Sequence, residues 1–199
     1  NLLEKPDLSP QDLLMILSPQ KDLLDSELRI LTDFTRQGGA VLISTDYNDP
    51  DSLPNFDALY RQMGFARLPG IVVAEGADLN AYIENPLFLT PYMGMTEPTA
   101  ALIGAGQTRL RLPGARALQI TSTGSDAKVD PLLLSGVAYI KDVQSASQSI
   151  AKEEGDEEGQ FNLALLSDYA SPDGTRSRPD PPPAPTALSP PTRPGPSRP

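Results

Sequence analysis

The sequence predicts an α/β domain built around a parallel strand pair, and three observations carry that prediction. Leu13-Leu14-Met15-Ile16-Leu17 is an unbroken apolar run that stops at Ser18-Pro19. Ala40-Val41-Leu42-Ile43-Ser44 is a second such run. Short continuous runs of this kind suit strands buried on both faces. Between them, Leu24, Leu28, Leu31 and Phe34 recur at helical spacing, while Glu27, Arg29, Asp33 and Arg36 can face water. Strand, helix, Gly38-Gly39 and strand make a βαβ unit, with a right-handed crossover and parallel strands.

The spacing predicts a helix over 25–37. Asp22 or Asp25 is expected to cap it, with Glu27 in its first turn. Gly38-Gly39 ends it, because glycine adopts the left-handed conformation without a Cβ clash. Residues 54–63 read as a second helix, with Phe56, Leu59, Tyr60 and Met63 on one side and Gly64 as its stop. Ile71-Val72-Val73 reads as a third strand. The 76–98 stretch is irregular, with a short helix near 78–84, and 99–103 reads as a helical turn. Residues 110–112, 117–121, 131–135 and 138–141 read as extended, and 121–128 as a polar loop. A charged loop at 153–159 precedes a last strand at 161–166, expected to lie antiparallel to the strand before the loop.

Composition divides the chain in two. Eleven of its 22 prolines lie between Pro172 and Pro199. The domain is expected over 1–170, and a disordered Pro/Arg/Ser-rich tail over 171–199. Consecutive prolines favour extended polyproline II, and such a segment buries too little apolar surface to offset its ordering entropy. Net charge is −10, and the arginines of the tail leave the domain more acidic still. Such a surface repels phosphate backbones, so no nucleic-acid partner is expected. The chain contains no His and no Cys. Disulfides, Cys/His metal sites, thiolate nucleophiles and Ser-His-Asp triads are therefore excluded. No cofactor is expected. No apolar run of about 18 residues spans a membrane.

The polar motifs are expected to be turns before they are sites. Gly104-Ala105-Gly106 lacks the third glycine of a dinucleotide fingerprint. The acids at 153–158 do not alternate as calcium ligands do, so no metal is expected, and they read as a solvated loop. Ser18, Thr45, Asp46 and Asp49 sit just beyond the carboxyl ends of the two apolar strands, where α/β sheets bind ligands. With Glu97 they form the candidate contact region, although turn chemistry around Asn48-Asp49-Pro50 also accounts for the aspartates. Ser18 and Ser44 have no histidine to activate them, so no catalytic residue is assigned.

Several segments, taken in order, resemble a known family. These are 13–19 with Lys21-Asp22-Leu23, 28–34 with Gly38-Gly39 and 41–45, Leu53-Pro54-Asn55-Phe56, and Gly70-Ile71-Val72-Val73. They continue with Asn85-Pro86, Thr96-Glu97-Pro98-Thr99-Ala100-Ala101-Leu102, Leu112-Pro113-Gly114-Ala115-Arg116-Ala117-Leu118 and Phe161-Asn162-Leu163-Ala164-Leu165-Leu166. Over about residues 8–170 the chain resembles the GldG-like auxiliary component of ABC-type transport systems.

The resemblance implies a three-layer, mostly parallel sheet of the flavodoxin or class I amidotransferase type, with late antiparallel strands. It implies a non-enzymatic extracytoplasmic domain. Transmembrane helices outside this chain would tether it at the cell membrane, beside an ABC permease and its ATPase. The family supplies no established catalytic residues. Relatives carry an earlier strand and helix, so this chain is expected to be a fragment lacking the first βα unit. Where relatives read His-Pro-Ile-Thr, this chain has Glu97-Pro98-Thr99, which removes any histidine ligand. Relatives continue beyond the Asp173-Gly174-Thr175 region into an apolar strand. The proline-rich continuation here is expected to come from a shifted reading frame, which resequencing of the parent DNA tests.

Two other readings come from the residues alone. One is a small-ligand or carbohydrate-binding domain that uses the strand ends at 18–19 and 45–51, with 76–98 as a lid. The other is a hydrolase working with carboxylates only, for which no spacing selects a pair.

Overall fold

A computed structural model of the chain describes residues 8–75, 85–106, 110–121 and 127–169. The expected tail, the 78–84 helix and most of the 121–128 loop lie outside the described residues.

In chain order the elements are β1 (Leu13–Leu17), α1 (Asp25–Arg36), β2 (Ala40–Ser44), α2 (Pro54–Gln62), β3 (Phe65–Arg67), β4 (Ile71–Ala74), β5 (Phe88–Leu89) and β6 (Tyr92–Met93). Then come α3 (Glu97–Gly104), β7 (Leu112–Pro113), β8 (Leu118–Ile120), β9 (Ala127–Leu134), β10 (Ala138–Lys141), α4 (Val143–Gln148), β11 (Glu157–Gly159) and β12 (Asn162–Tyr169).

The expected βαβ unit is present. β1 and β2 are parallel, with Leu13 opposite Ala40 and Leu17 opposite Ser44. The two glycines after α1 serve different ends. Gly38 takes a φ of 94°. A Cβ on Gly39 would fall 2.2 Å from the Phe34 ring, so the strand enters against that ring only as glycine.

The expected cap of α1 is corrected. Leu24 occupies the N-cap position, and Glu27 accepts its N–H at 3.0 Å. Asp22 instead caps α2, its carboxylate accepting the N–H groups of Asn55 (2.9 Å) and Phe56 (3.1 Å). A carboxylate at a helix N-terminus satisfies orphan donors and the positive end of the dipole. Asp22→Ala is expected to lower stability by about 1 kcal/mol, measured as a shift in the urea midpoint at unchanged slope.

The sheet as a whole is not mostly parallel, which corrects that expectation. Among the described residues parallel pairing is confined to β1 and β2. β4 lies antiparallel to β10, which also pairs with β11. A five-stranded antiparallel sheet runs β3-β8-β12-β9-β6, and β5 pairs with β7. The late strands are antiparallel, but with different partners from those expected. β12 pairs with β9, and β10 takes β11 from inside the acidic run. β11 is a polar edge of three residues and has no apolar signal.

Burial of β1 and β2 on both faces is also corrected. Leu23, Ile16 and Ile43 pack against Leu53, Phe56 and Tyr60 on one side. The alternate side chains Leu13, Met15, Leu17 and Leu42 are 48–65% exposed. α1 and α2 supply the packing on one side, and no described residue covers the other.

A second core cluster gathers Val72, Leu89, Ala117, Ala138, Phe161 and Leu163, and a third gathers Ile71, Val73 and Tyr139. Both lie among the antiparallel strands. Ser167 Oγ donates to Met63 O at 2.6 Å and Thr121 N to Gly64 O at 2.9 Å, which ties the end of α2 to that half of the fold.

Candidate functional site

The structure brings Ser18, Asp46 and Asp49 together beyond the carboxyl ends of β1 and β2. Ser18 continues the ladder by donating its N–H to Ser44 O at 2.9 Å, then turns away at a φ of 44°. That value lies in the left-handed region that non-glycine residues seldom adopt. The turn sends its hydroxyl to Asp49 Oδ1 at 2.7 Å.

Asp49 is 2% exposed. Its Oδ1 also accepts Gln20 Nε2 at 3.1 Å, and its Oδ2 accepts the Asp46 N–H at 2.8 Å. Asp46 accepts the Asn48 N–H at 2.9 Å. The aspartates therefore close a turn on themselves, as Asn48-Asp49-Pro50 implied.

Arg116 is the residue that sequence reasoning missed. It arrives from the segment between β7 and β8, is buried, and fills the loop's interior. Its guanidinium donates to the carbonyls of Asp46 (3.0 Å), Tyr47 (3.2 Å) and Asp49 (2.6 Å), and to Asp51 Oδ1 (2.9 Å). A planar fork with five donors suits this convergence of oxygens. The nearby Gly114 has a φ of 57°, and a Cβ there would fall 2.5 Å from the Tyr47 ring.

This arrangement braces a loop. A nucleophilic serine needs a base with spare capacity and a site for the developing oxyanion. Here both Asp49 oxygens already accept protein donors, and the Ser18 oxygen also accepts Gln20 Nε2 at 3.2 Å. Asp51 turns to Arg116 and does not converge with Asp46 and Asp49. Among the described residues no group of three or more acids could hold a metal ion. Thr45 is half-buried between β2 and the turn. Glu97 opens α3, past β6 of the antiparallel sheet.

Beside the turn, the Tyr60 hydroxyl is buried and finds no hydrogen-bond partner among the protein atoms. Burial pushes its pKa up to about 12; Arg67 acts against the shift, and Asp49 and Asp57 add to it. The Arg67 guanidinium lies 5.6 Å from the Tyr60 ring centroid and pairs with Asp57 at 3.0 Å.

The acidic run is more than a solvated loop, which corrects that expectation. The Lys141 ammonium is fully buried at the end of β10. It donates to Ala151 O (2.9 Å) and pairs with Glu153 (3.2 Å) and Asp156 (3.4 Å). Desolvation lowers its pKa, but the bond to Glu153 and the charges of Asp156 and Glu153 outweigh this, and the net shift is upward. Lys152 pairs with Glu75 and Glu158, and Tyr139 donates its hydroxyl to Ile150 O.

No family model matches this chain, and no curated protein matches it. Among solved structures it is similar to a chain described as the mmIFT52 N-terminal domain, at a TM-score of 0.47 and 14% sequence identity. The match covers 76% of this chain and 65% of that one, so this chain spans just under two thirds of its length.

Proposed function

We propose that this chain is a non-enzymatic, extracytoplasmic domain of an ABC-transporter auxiliary protein. It would act by protein–protein contact with the transporter or with cell-surface components. One observation carries the preference for contact over chemistry. At the strand ends, where an α/β sheet would hold a ligand, the polar groups of Ser18, Asp49 and Arg116 are already bonded to one another and to the loop. A ligand there would have to displace bonds that close the fold.

The transporter assignment rests on the ordered family-like segments of the sequence. The partners are a permease and its ATPase, reached through membrane helices outside this chain. Among the described residues no helix is long and apolar enough to cross a membrane.

Purification of the full-length parent protein from membranes tests the proposal. Recovery of a permease with it is the expected result. A soluble parent, encoded by a complete gene without membrane helices, would overturn it. A saccharide that raises the melting temperature would instead favour a carbohydrate-binding domain, since a specific ligand stabilises the folded state by mass action.

A further inference from the structure

Residues 149–156, between α4 and β11, close over the end of β10. Ser147 to Gly155 are all exposed, yet the Lys141 side chain that bonds to them is 0% exposed. Tyr139 and Lys141, two positions apart, project from one face of β10, and both reach this strap. Tyr139 donates to Ile150 O, and Lys141 donates to Ala151 O at 2.9 Å. Glu153 and Asp156 bring their carboxylates to the Lys141 ammonium. Lys152 crosses to Glu75 at 3.2 Å and also pairs with Glu158.

The strap brings little apolar surface to the fold. α4, which leads into it, has no buried residue. Tyr47, Leu87 and Ala146 are the partly buried apolar side chains packed on Ile71, Val73 and Tyr139 among the described residues, and of these Ala146 alone comes from α4 or the strap. The N–H groups of Ala151, Glu153 and Asp156 bond within the strap, to Ser149 Oγ, Asp156 Oδ2 and Glu153 O. The strap therefore keeps its own shape and hangs on polar side-chain bonds. Opening solvates the ammonium and both carboxylates together, so no charge is left buried and unpaired. Segments with few buried apolar contacts open at a free energy below that of global unfolding.

We propose that residues 149–156 form a latch that opens as a unit while the rest of the fold stays intact, and that opening uncovers the Lys141 amine and the Tyr139 phenol. β10 keeps its place, because its ladder to β4, from Ala138 opposite Ala74 to Lys141 opposite Ile71, does not involve the latch. In the closed state Glu153 and Asp156 occupy an ammonium that the open state presents to solvent. The device needs no transporter and goes beyond the contact reading above.

Pulsed labelling of the full chain with an amine-reactive acyl ester, over a urea series and read by peptide mass, tests it. Lys128 is 76% exposed and serves as the reference for an open amine. The expected result is that Lys141 labels far more slowly than Lys128 without urea, with a rate that rises with urea much less steeply than global unfolding does. Tyr139→Phe removes one tie of the latch and should raise the Lys141 rate about fivefold, the factor that one ordinary hydrogen bond supplies. Glu153→Gln should act in the same direction, and it keeps the test if Tyr139→Phe fails to fold, since the Glu153 side chain is 61% exposed. Asp22→Ala weakens the fold through α2 and should leave the Lys141 rate without urea unchanged. A Lys141 rate with the full urea slope of unfolding would overturn the proposal. So would a rate that Asp22→Ala raises as much as the latch variants do, a rate that neither latch variant raises, or one equal to that of Lys128 in the wild type.

Discussion

Replacing Arg116 with methionine is expected to lower stability by about 3 kcal/mol, the penalty range for leaving buried acceptors unsatisfied. The apolar stem is kept, so packing changes little, while the carbonyls of Asp46, Tyr47 and Asp49 lose their shared donor. In a chain of this size that shift should lower the melting temperature by about 10 °C. Arg116→Lys should recover little, because one ammonium cannot reproduce the planar fork. Asp51→Asn is the informative contrast. The Asp51 side chain is 75% exposed, and exposed ion pairs contribute about 0–1 kcal/mol. If Asp51→Asn cost as much as Arg116→Met, the ion pair and not the carbonyl fork would hold the loop. Thermal denaturation of the three variants separates these cases.

Tyr60→Phe is expected to act in the opposite direction. It removes a buried hydroxyl that has no partner and keeps the ring contacts with Phe56 and Phe65. Relief of that desolvation is worth about 1 kcal/mol or more at neutral pH. The variant also changes the alkaline limb. The Tyr60 pKa rises on folding from 10.0 to about 12, so the folded state resists its ionisation. Its contribution is complete below pH 10 and is lost as pH climbs from 10 to 12, amounting to about 3 kcal/mol at most. Lys141 and Tyr139, also raised, lose stability at high pH in the same sense. Urea melts between pH 8 and 12 should therefore show a steeper alkaline decline in the wild type than in Tyr60→Phe. Parallel declines would place the alkaline loss elsewhere.

The parts of this fold legible in the sequence are those written within a few residues. The five-residue runs at 13–17 and 40–44, the helical stripe between them and the glycine pair all carry local signals, and these elements form where expected. The antiparallel sheets do not. β4 reads as a buried strand, but nothing near Ile71–Ala74 says that its partner is β10. β11 is Glu-Glu-Gly, and only its neighbour makes it a strand.

The candidate site divides in the same way. Ser18, Asp46 and Asp49 follow from the rule that ligands and turns gather at strand ends. Arg116 bonds to residues 65–70 positions earlier in the chain, and an arginine flanked by Ala115 and Ala117 carries no mark of that destination. Lys141 had a fainter signal, since a lysine closing the apolar run Ala-Tyr-Ile implies burial with an acid nearby.

The cap that Asp22 lends to α2 also constrains how the chain folds. Its partner N–H at Asn55 lies 33 residues downstream. The helix start is therefore completed only when a long loop has closed, with an entropic cost that grows with the logarithm of loop length. A nine-residue helix is too short to persist alone. Nucleation of α2 and docking of the β1–α1 corner are therefore expected to be one kinetic event. Loss of the Asp22 carboxylate should appear mainly in the refolding rate, as a φ-value near the upper end of the scale.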